Sequence, residues 1–330
     1  MIFFYDARWI GDHGIGRVAR VLDDALHLKH LDVKGTPSSP LDTFYLWLAT
    51  LKQIPKDGGL FTPGYNAPLF VSRPFVFTIH DLNHIDRPEN ASFLKSIYYS
   101  LIMKRACRNA AAILTVSEFS KKRIIEWARV SETKVINIGN GVDENYNANV
   151  EPYLPGFRYL LSVSNRKAHK NEPRIVQAFV MAKIDSDIRL LFTGNPTEEL
   201  MSKIRSLGIE ERVVFAGRVP EEELPSLYRG AVGLVFPSLY EGFGLPVIEA
   251  MSCGIPVLTS NTTSLPEVAG GAALLVNPES VEDIAEGIAS LCNDAALVKK
   301  LIGQGFDQAA QFSWPITAHK VREALVNVSA

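Results

Sequence analysis

The chain has 330 residues, too many for one ordinary hydrophobic core and enough for two domains of about 150 residues each. Hydrophobic residues make up 47% and charged residues 21%, as in a typical soluble globular protein. The formal net charge of −2 argues against a nucleic-acid partner, which would require a basic field.

Short apolar runs alternate with longer helical stretches, a pattern that predicts parallel βαβ units. In the first half, the predicted strands are residues 2–5, 59–61, 75–79, 112–116 and 134–138. The predicted helices are residues 17–30, 93–109 and 118–127. Ser117 is placed to cap the third helix, because a serine hydroxyl can accept from the first free backbone N–H groups.

Residues 95–108 combine aromatic and aliphatic side chains with basic ones, among them Lys104, Arg105 and Arg108. A helix of this composition can rest on a membrane surface. The alternative is a charged helix face exposed to water. Peripheral membrane contact through the N-terminal domain is therefore an expectation to be tested.

Residues 140–157 have no clear periodicity and contain glycines and prolines, which predicts a linker between domains. The alternation then restarts, with predicted strands at residues 159–164, 189–193, 213–216, 233–236, 256–259 and 273–275. Each is nearly apolar throughout, as expected when both faces of a parallel sheet are covered. Two doubly wound sheets in one chain predict a ligand cleft between them, at the carboxyl ends of the strands.

The three cysteines, Cys107, Cys253 and Cys292, are far apart and have no C-x-x-C spacing. They indicate neither a zinc site nor a disulfide framework, so we expect reduced thiols. The apolar run at the N-terminus is broken by Asp6 and Arg8, so we do not expect a signal peptide there. No stretch approaches the roughly 18 apolar residues of a spanning helix. We expect a cytoplasmic protein, or a peripheral one at the inner face of the membrane.

The segment most informative about function is EGFGLPVIE at residues 241–249. Gly242 and Gly244 let the backbone approach a ligand just ahead of a predicted helix starting at Pro246, where free N–H groups and the helix dipole attract phosphate. Glu241 and Glu249 are eight residues apart, and each carboxylate can accept from a sugar diol. The alternative is a merely structural turn before a helix.

This segment resembles the E-x7-E motif of retaining glycosyltransferases of family 4, which have the GT-B fold. The resemblance covers essentially the whole chain, through GIGR at 14–17, TIHD at 78–81, VSEFS at 116–120, NGVD at 140–143, SNRKAHKN at 164–171, FTG at 192–194 and SLPEVAG at 264–270. It implies an α/β protein of two Rossmann-like, doubly wound parallel-sheet domains facing across a cleft.

The resemblance also implies the division of the chain. Residues 1–150 would form the N-terminal acceptor domain, to which a final helix at about 313–330 crosses back. Residues 151–312 would form the C-terminal domain that binds the nucleotide-sugar donor.

Arg166 and Lys170 follow the first strand of the second domain, and two cations four residues apart can clamp a diphosphate as charge builds on it. The family uses an arginine and a Lys-Asn pair in this loop, which Arg166, Lys170 and Asn171 match. His169 stands where the family often has an acidic residue, which departs from the pattern. The alternative is a basic loop that is only solvated.

His80 lies at the carboxyl edge of the predicted strand 75–79, where ligands gather in such sheets. The family places a histidine near the transferred sugar, and His80 is the match. The alternative is a histidine satisfied by neighbouring backbone. His13 and His84 are weaker candidates, and we expect no metal ligand set.

Gly14 and Gly16 lie between the first strand and the first helix, but position 19 is Ala19, so the dinucleotide fingerprint is incomplete and NAD is disfavoured. In the family this loop borders the cleft and faces donor phosphate or acceptor. The alternative is a tight strand-helix turn. Glu267 is either a donor-side contact or a carboxylate favoured by a helix N-terminus.

The resemblance implies the following mechanism. Glu249 takes the ribose, and Glu241 and His80 grip the donor sugar. Arg166 and Lys170 replace a metal ion at the diphosphate, and retention arises from front-face attack. The remaining donor-binding residues are the backbone of Gly242, Phe243, Gly244 and Leu245, with Asn171, Gly194, Gly14 and Gly16.

Within the family, the TIHD and SLPEVAG segments look most like bacterial mannosyl- and rhamnosyltransferases of surface polysaccharide assembly. GDP-mannose is thus the first donor expected, with a saccharide or lipid-linked saccharide acceptor and no separate cofactor. A GT-B epimerase or phosphorylase-like enzyme, and a non-catalytic sugar-nucleotide-binding protein, stay as alternatives.

Overall fold

The computed structural model describes residues 1–11, 14–39, 41–87 and 98–329. The chain divides into two compact units. The first unit comprises Met1–Gly141 and Trp314–Ala330, and the second comprises Val142–Ser313.

The first unit is built on a parallel sheet of six described strands in the order β2-β1-β3-β4-β5-β6. They are β1 Ile2–Tyr5, β2 Lys29–His30, β3 Gly58–Thr62, β4 Phe75–Thr78, β5 Ala112–Thr115 and β6 Val135–Asn137. The order reverses between β1 and β3, since β1 leads to β2 on one side and the later strands follow on the other.

The described helices of the first unit are α1 Gly14–Leu26, α2 Asp42–Gln53, α3 Asn83–Asp86, α4 Lys104–Asn109, α5 Glu118–Ala128 and α13 Trp314–Ser329. A π-helical segment, Tyr98–Met103, leads into α4. The predicted cap of α5 is confirmed, because Ser117 Oγ accepts from Ser120 N at 3.0 Å.

The helices of the first half differ from the prediction. The helix predicted to reach residue 30 ends at Leu26, because His27 takes a left-handed backbone conformation and Lys29–His30 pairs with β1 instead. Helix α2 was not predicted at all, since its apolar residues are not confined to one face. Of the predicted helix 93–109, residues 93–97 lie outside the described residues.

The second unit has a parallel sheet in the order β12-β11-β10-β7-β8-β9. Its described strands are β7 Tyr159–Ser162, β8 Arg189–Phe192, β9 Val213–Phe215, β10 Gly233–Phe236, β11 Val257–Ser260 and β12 Leu274–Val276. Its described helices are α6 Glu172–Met181, α7 Glu198–Ser206, α8 Leu224–Gly230, α9 Leu245–Ser252, α10 Leu265–Ala269, α11 Val281–Asn293 and α12 Ala295–Ala309.

Both faces of the first sheet are buried. Phe3 and Tyr5 belong to the core beneath α1 and α13, whereas Phe4 between them belongs to the core on the opposite face. This alternation follows from the two-residue period of a strand. Helix α13 completes the first of these cores with Trp314 and Val321.

Residues after Gly141 pack with the second unit. The Tyr146 ring lies edge-on to Tyr228, with centroids 5.8 Å apart, and Arg229 Nε donates to the Ala148 carbonyl at 3.0 Å. The stretch 142–150, predicted to belong to the N-terminal domain, therefore lies with the second sheet.

None of the helices within the described ranges is both long enough and apolar enough to cross a membrane.

Candidate functional site

The second sheet changes direction between two neighbouring strands, β7 and β10. The chain runs from β7 to β8 on one side and from β10 to β11 on the other, while Leu160 of β7 pairs with Gly233 of β10. In doubly wound sheets, ligands bind at the carboxyl ends of the strands where the order reverses. The loops that follow β7 and β10 carry the residues that were predicted to bind the phosphates and the sugar.

The loop after β10 turns into α9 through a glycine. Gly244 has φ +110, and a Cβ at this position would lie 2.6 Å from the Leu265 side chain. Only glycine fits both the conformation and the close approach. Helix α9 begins at Leu245, one residue before the predicted start at Pro246. Its first N–H groups lack partners within the helix and can bind an anion.

Side chains from the loop after β11 brace this turn. Ser264 Oγ donates to the carbonyls of Glu241 and Phe243, each at 2.9 Å, and Glu241 N donates to Thr263 Oγ1 at 3.4 Å. Sequence reasoning considered only Glu267 in this segment, and the Glu267 side chain is exposed. The serine hydroxyl two residues ahead of Pro266 was the available signal for a brace.

Lys170 and Glu241 meet at this edge of the sheet. The Lys170 Nζ lies 2.7 Å from Glu241 Oε1, and both side chains are 14% exposed. The ammonium also lies 4.8 Å from the ring centroid of Phe236, the last residue of β10. A charge pair beside a turn whose free N–H groups can bind an anion is able to exchange partners with a ligand that carries both phosphate and hydroxyl groups.

Glu249 is buried within α9, where the Tyr228 hydroxyl donates to its Oε2 at 2.7 Å. Burial and the nearby Glu249 carboxylate raise the pKa of Tyr228, so the phenol remains a donor. Tyr228 fixes the carboxylate that the sequence assigned to the ribose. Sequence reasoning missed it, because it lies 21 residues earlier on α8.

Arg166 is engaged within the protein. Its guanidinium forms an ion pair with Glu172 and donates to the carbonyls of Thr193, Gly194 and Asn195. Its φ of +61 is unusual for a residue with a side chain. The structure thus brings Arg166 to the end of β8 and ties it to Glu172, the first residue of α6.

Three other residues predicted to bind the nucleotide-sugar donor are Asn171, Gly194 and Phe243, and each has a structural role in the loops of the site. Asn171 Nδ2 donates to the carbonyls of Pro237 at 3.0 Å and Pro278 at 2.6 Å, which ties the loop after β7 to the ends of β10 and β12. Gly194 has φ +75, and its carbonyl accepts from Arg166 at 3.0 Å. The Phe243 ring is buried, so only its backbone belongs to the turn.

In the first unit, His80 is buried at the end of β4. Its Nε2 lies 2.8 Å from the Pro63 carbonyl oxygen, and its ring centroid lies 5.8 Å from that of Tyr65. Because a carbonyl only accepts, Nε2 carries the proton in this contact. The contact matches the alternative of a histidine satisfied by backbone, and a sugar-binding role for His80 stays a prediction.

The glycines after β1 begin α1. A Cβ on Gly16 would lie 2.2 Å from the Gly11 carbonyl oxygen, whereas one on Gly14 would meet nothing within 4 Å. Gly16 is therefore required by the close approach of two backbone segments, as in a tight strand-helix turn. His13 lies outside the described residues.

A buried polar cluster that sequence reasoning missed lies where the first sheet reverses. Arg8 binds Asp6 and Asp42, each at 2.7 Å, and Asn66 Nδ2 donates to Asp6 at 2.7 Å and to Asp42 at 3.1 Å. Trp9 Nε1 donates to Asn66 at 2.7 Å. Burial raises the pKa of Asp42 even beside Arg8. The feature of the sequence that could have indicated this cluster is the pair of charged residues Asp6 and Arg8, just after the apolar strand 2–5.

Within the described part of the chain, no group of three or more His, Cys, Asp or Glu side chains is arranged to hold a metal ion.

Two sequence families match the chain. The family described as glycosyl transferases group 1 matches residues 149–308, which contain the site on the second sheet. The family described as Glycosyltransferase Family 4 matches residues 59–146 of the first unit.

Several curated relatives are mannosyltransferases. O-antigen chain mannosyltransferase B of Escherichia coli is 32% identical, and the match covers 76% of this chain and 70% of the relative. O-antigen chain mannosyltransferase RfbU of Salmonella typhimurium is 31% identical, with 71% of this chain and 65% of the relative covered. The chain spans only 29% of the serotype-specific mannosyltransferase WbdA of Escherichia coli, which is 31% identical over 66% of this chain.

Solved structures share the fold over nearly the whole chain. Sucrose-phosphate synthase from Thermosynechococcus elongatus has a TM-score of 0.80 at 18% identity, with 99% of this chain and 98% of that chain covered. HepE from Anabaena, in complex with UDP and glucose, has a TM-score of 0.77 at 19% identity, with 99% of each chain covered. The predicted fold class and family are thereby confirmed. The chain belongs to the group 1, family 4 glycosyltransferases, has the GT-B fold and is a hexosyltransferase.

Proposed function

We propose that the chain transfers mannose from GDP-mannose to a saccharide or lipid-linked saccharide during assembly of a surface polysaccharide, with retention of anomeric configuration. The names of the O-antigen chain mannosyltransferases of Escherichia coli and Salmonella typhimurium support the sugar and the pathway. The donor is a substrate, and the proposal needs no separate cofactor.

The observation that carries the proposal is the ion pair between Lys170 and Glu241, which stands four residues ahead of the start of α9 where the second sheet reverses. An ammonium beside a helix N-terminus attracts a diphosphate. In the proposed cycle the donor diphosphate replaces Glu241 as the partner of Lys170. The released carboxylate of Glu241 then accepts from hydroxyls of the donor sugar.

Glu249 is proposed to accept from the ribose hydroxyls while Tyr228 holds its Oε2. Arg166 is proposed to stabilise the departing diphosphate together with Lys170, in place of a metal ion. This is the least direct assignment, because the guanidinium is held by Glu172 and by three backbone carbonyls. Asn171, Gly194 and Glu172 keep the loop in position.

Transfer with retention is proposed to occur by front-face attack. The acceptor oxygen forms a bond to the anomeric carbon as the bond to the phosphate oxygen breaks. The acceptor proton passes to that leaving oxygen, so the products are the lengthened saccharide and GDP. The proposal that His80 contacts the transferred sugar depends on the family resemblance and stays a prediction.

The acceptor class implies a place of work. We propose that the chain acts as a peripheral protein at the inner face of a membrane, where a lipid-linked saccharide would be presented. The support is again the O-antigen function in the relatives' names.

Donor identity is tested first by thermal shift with GDP, UDP, ADP, dTDP and NAD. A ligand at 100-fold over its Kd stabilises the folded state by about 2.7 kcal/mol, which is readily seen. We expect a shift with GDP. A shift with UDP alone would replace mannose by a UDP-linked sugar, of the kind bound in the HepE complexes, and a shift with NAD alone would contradict a transferase.

Transfer is then measured with the donor selected and p-nitrophenyl mannoside as acceptor. We expect Lys170→Ala and Glu249→Ala to lower kcat/KM by roughly 10²-fold or more, because each removes a charged contact to the donor. Arg158→Ala is the control, since Arg158 pairs with Asp185 and comes just before β7, at the amino ends of the strands and not at the carboxyl ends where the site lies. Near-normal transfer by both site variants would refute the assignment.

The two alternatives give different products. A sugar-nucleotide epimerase would return an altered sugar still attached to its nucleotide. A non-catalytic sugar-nucleotide-binding protein would show the thermal shift without any transfer.

A further inference from the structure

One outward face of the first unit is apolar and aromatic. Leu41, just before α2, and Phe44 and Leu51 on α2 recur at helical spacing and are exposed, while Leu46 and Ala49 on the other side of the helix enter the core. Phe70 and Val71, in the loop after β3, are also exposed. We call the surface formed by Leu41, Phe44, Trp47, Leu51, Phe70 and Val71 the aromatic face.

The rings of the aromatic face form one continuous ladder. The centroids of Phe44 and Trp47 lie 5.8 Å apart, and those of Trp47 and Phe70 lie 5.2 Å apart. The Arg105 guanidinium lies 5.6 Å from the Phe70 ring. The ladder therefore joins α2, the loop after β3 and α4 into a single surface.

Within the segments that form or adjoin the aromatic face, the exposed charges are positive. Lys52, Arg105 and Arg108 are exposed. In residues 41–53, 68–73 and 98–109 the only acidic residue is Asp42. Asp42 is buried against Arg8. The exposed acids Asp32 and Asp57 flank only the far end of α2, beyond Lys52.

We propose that the aromatic face binds an anionic phospholipid surface. Exposed aromatic rings settle at the boundary between headgroups and acyl chains, and arginine and lysine attract anionic headgroups. An exposed apolar face rimmed by cations has the chemistry of this partner. This surface keeps Arg105 and Arg108 of the segment 95–108, but its apolar part lies on α2 and in the loop after β3, because Tyr99 and Met103 of that segment are buried in the core.

The orientation of α2 fits such a role. Asp42, its first residue, binds Arg8, which is the third residue after the end of β1. The ladder thus begins at the carboxyl edge of the first sheet, where ligands bind in folds of this kind. The inference rests on the proposed function in one respect, because it names the surface by which the peripheral enzyme would reach a lipid-linked acceptor.

The test is co-sedimentation with vesicles of phosphatidylcholine alone and of phosphatidylcholine with phosphatidylglycerol, without donor or acceptor. We expect binding to the anionic vesicles that weakens as salt rises. The double variant Phe44→Ser with Phe70→Ser should have an affinity for the anionic vesicles that is at least about tenfold lower, because two interfacial side chains are lost. Arg105→Glu, which leaves the apolar area in place, should also weaken binding to the anionic vesicles.

Phe306→Ser is the matched control, since Phe306 is 40% exposed in the second unit, against 41% for Phe44 and 46% for Phe70. It should bind vesicles like the original chain. Equal binding by the double variant and the original chain would overturn the proposal. So would the absence of binding by the original chain, or a dimer that only the double variant dissociates.

The donor experiment separates this inference from the proposed function. If vesicle binding fails while GDP still gives a thermal shift and transfer to p-nitrophenyl mannoside proceeds, only the lipid surface is refuted. If vesicle binding succeeds and GDP gives no shift, only the donor assignment is refuted.

Discussion

At the scale of single residues, the side chains of the site bind one another: Lys170 pairs with Glu241, and Tyr228 donates to Glu249. Glu241 and Lys170 could be selected from the sequence, since a carboxylate and an ammonium near a glycine turn are the chemistry that a sugar diphosphate needs. Their pairing could not be predicted, because 71 residues separate them along the chain. The same is true of Tyr228, whose role depends on the packing of α8 against α9.

Removal of the Tyr228 hydroxyl tests whether it orients Glu249. We expect Tyr228→Phe to weaken GDP binding by about tenfold, because a hydrogen bond to a buried carboxylate contributes about 1.5–3 kcal/mol. Calorimetric titration with GDP measures the affinity. Tyr5→Phe is the control, since its buried hydroxyl donates to the Ala19 carbonyl at 2.7 Å in the first unit. Equal losses in the two variants would mean that Tyr228 only stabilises the fold.

The thiols give a prediction in pH. Burial raises the pKa of Cys107 and of Cys253 to about 12 and that of Cys292 to about 11. A raised thiol pKa means less thiolate at any lower pH, so the native chain should react with a disulfide reagent at pH 8 roughly 10²-fold more slowly than the unfolded chain. Above pH 8 the rate of the native chain should climb about tenfold per pH unit for as long as the chain stays folded. One fast-reacting thiol in the native chain would contradict this.

At the scale of elements, the strands were predicted well and the helices less well. Parallel strands covered on both faces leave nearly continuous apolar runs, which are readable without knowledge of the fold. Helix α2 escaped detection because the aromatic face makes it apolar on its outer side as well. The two-residue strand Lys29–His30 escaped because it is defined by pairing with β1 and not by its own composition.

The turn into α9 depends on Gly244. We expect Gly244→Ala to lower the free energy of unfolding by about 2 kcal/mol or more. Alanine is strained at the positive φ of this position, and its Cβ would collide with the Leu265 side chain. Urea unfolding measures the cost. Gly271→Ala isolates the effect of backbone conformation, because Gly271 has φ +81 and nothing within 4 Å. A similar cost in both variants would remove the packing argument at Gly244.

At the scale of the whole molecule, the two units can be observed separately. All four tryptophans, Trp9, Trp47, Trp127 and Trp314, belong to the first unit, whereas the site with Lys170 and Glu249 belongs to the second. Tryptophan fluorescence therefore reports the unfolding of the first unit alone.

This separation makes the contribution of α13 measurable. We expect Val321→Ala to lower the free energy of unfolding, as detected by tryptophan fluorescence in urea, by about 1–3 kcal/mol, because Val321 is fully buried in the core of the first unit. GDP affinity should stay within about twofold. Val326→Ala, on the exposed side of the same helix, should change stability by less than about 0.5 kcal/mol. Equal effects of the two substitutions would contradict the assigned packing of α13.

The return of α13 to the first unit also sets an order of events during synthesis. Residues 142–313 form the second unit without interruption, so this unit can fold as soon as it has left the ribosome. The first unit begins earlier but lacks Trp314 and Val321 until the whole second unit has been made, a delay of roughly 10–30 s at usual elongation rates. During that delay Phe3, Tyr5 and their apolar neighbours have no native cover over one face of the sheet. The half of the chain that is made first is thus the half that completes its folding last, and it is the half that a nascent-chain chaperone would need to protect.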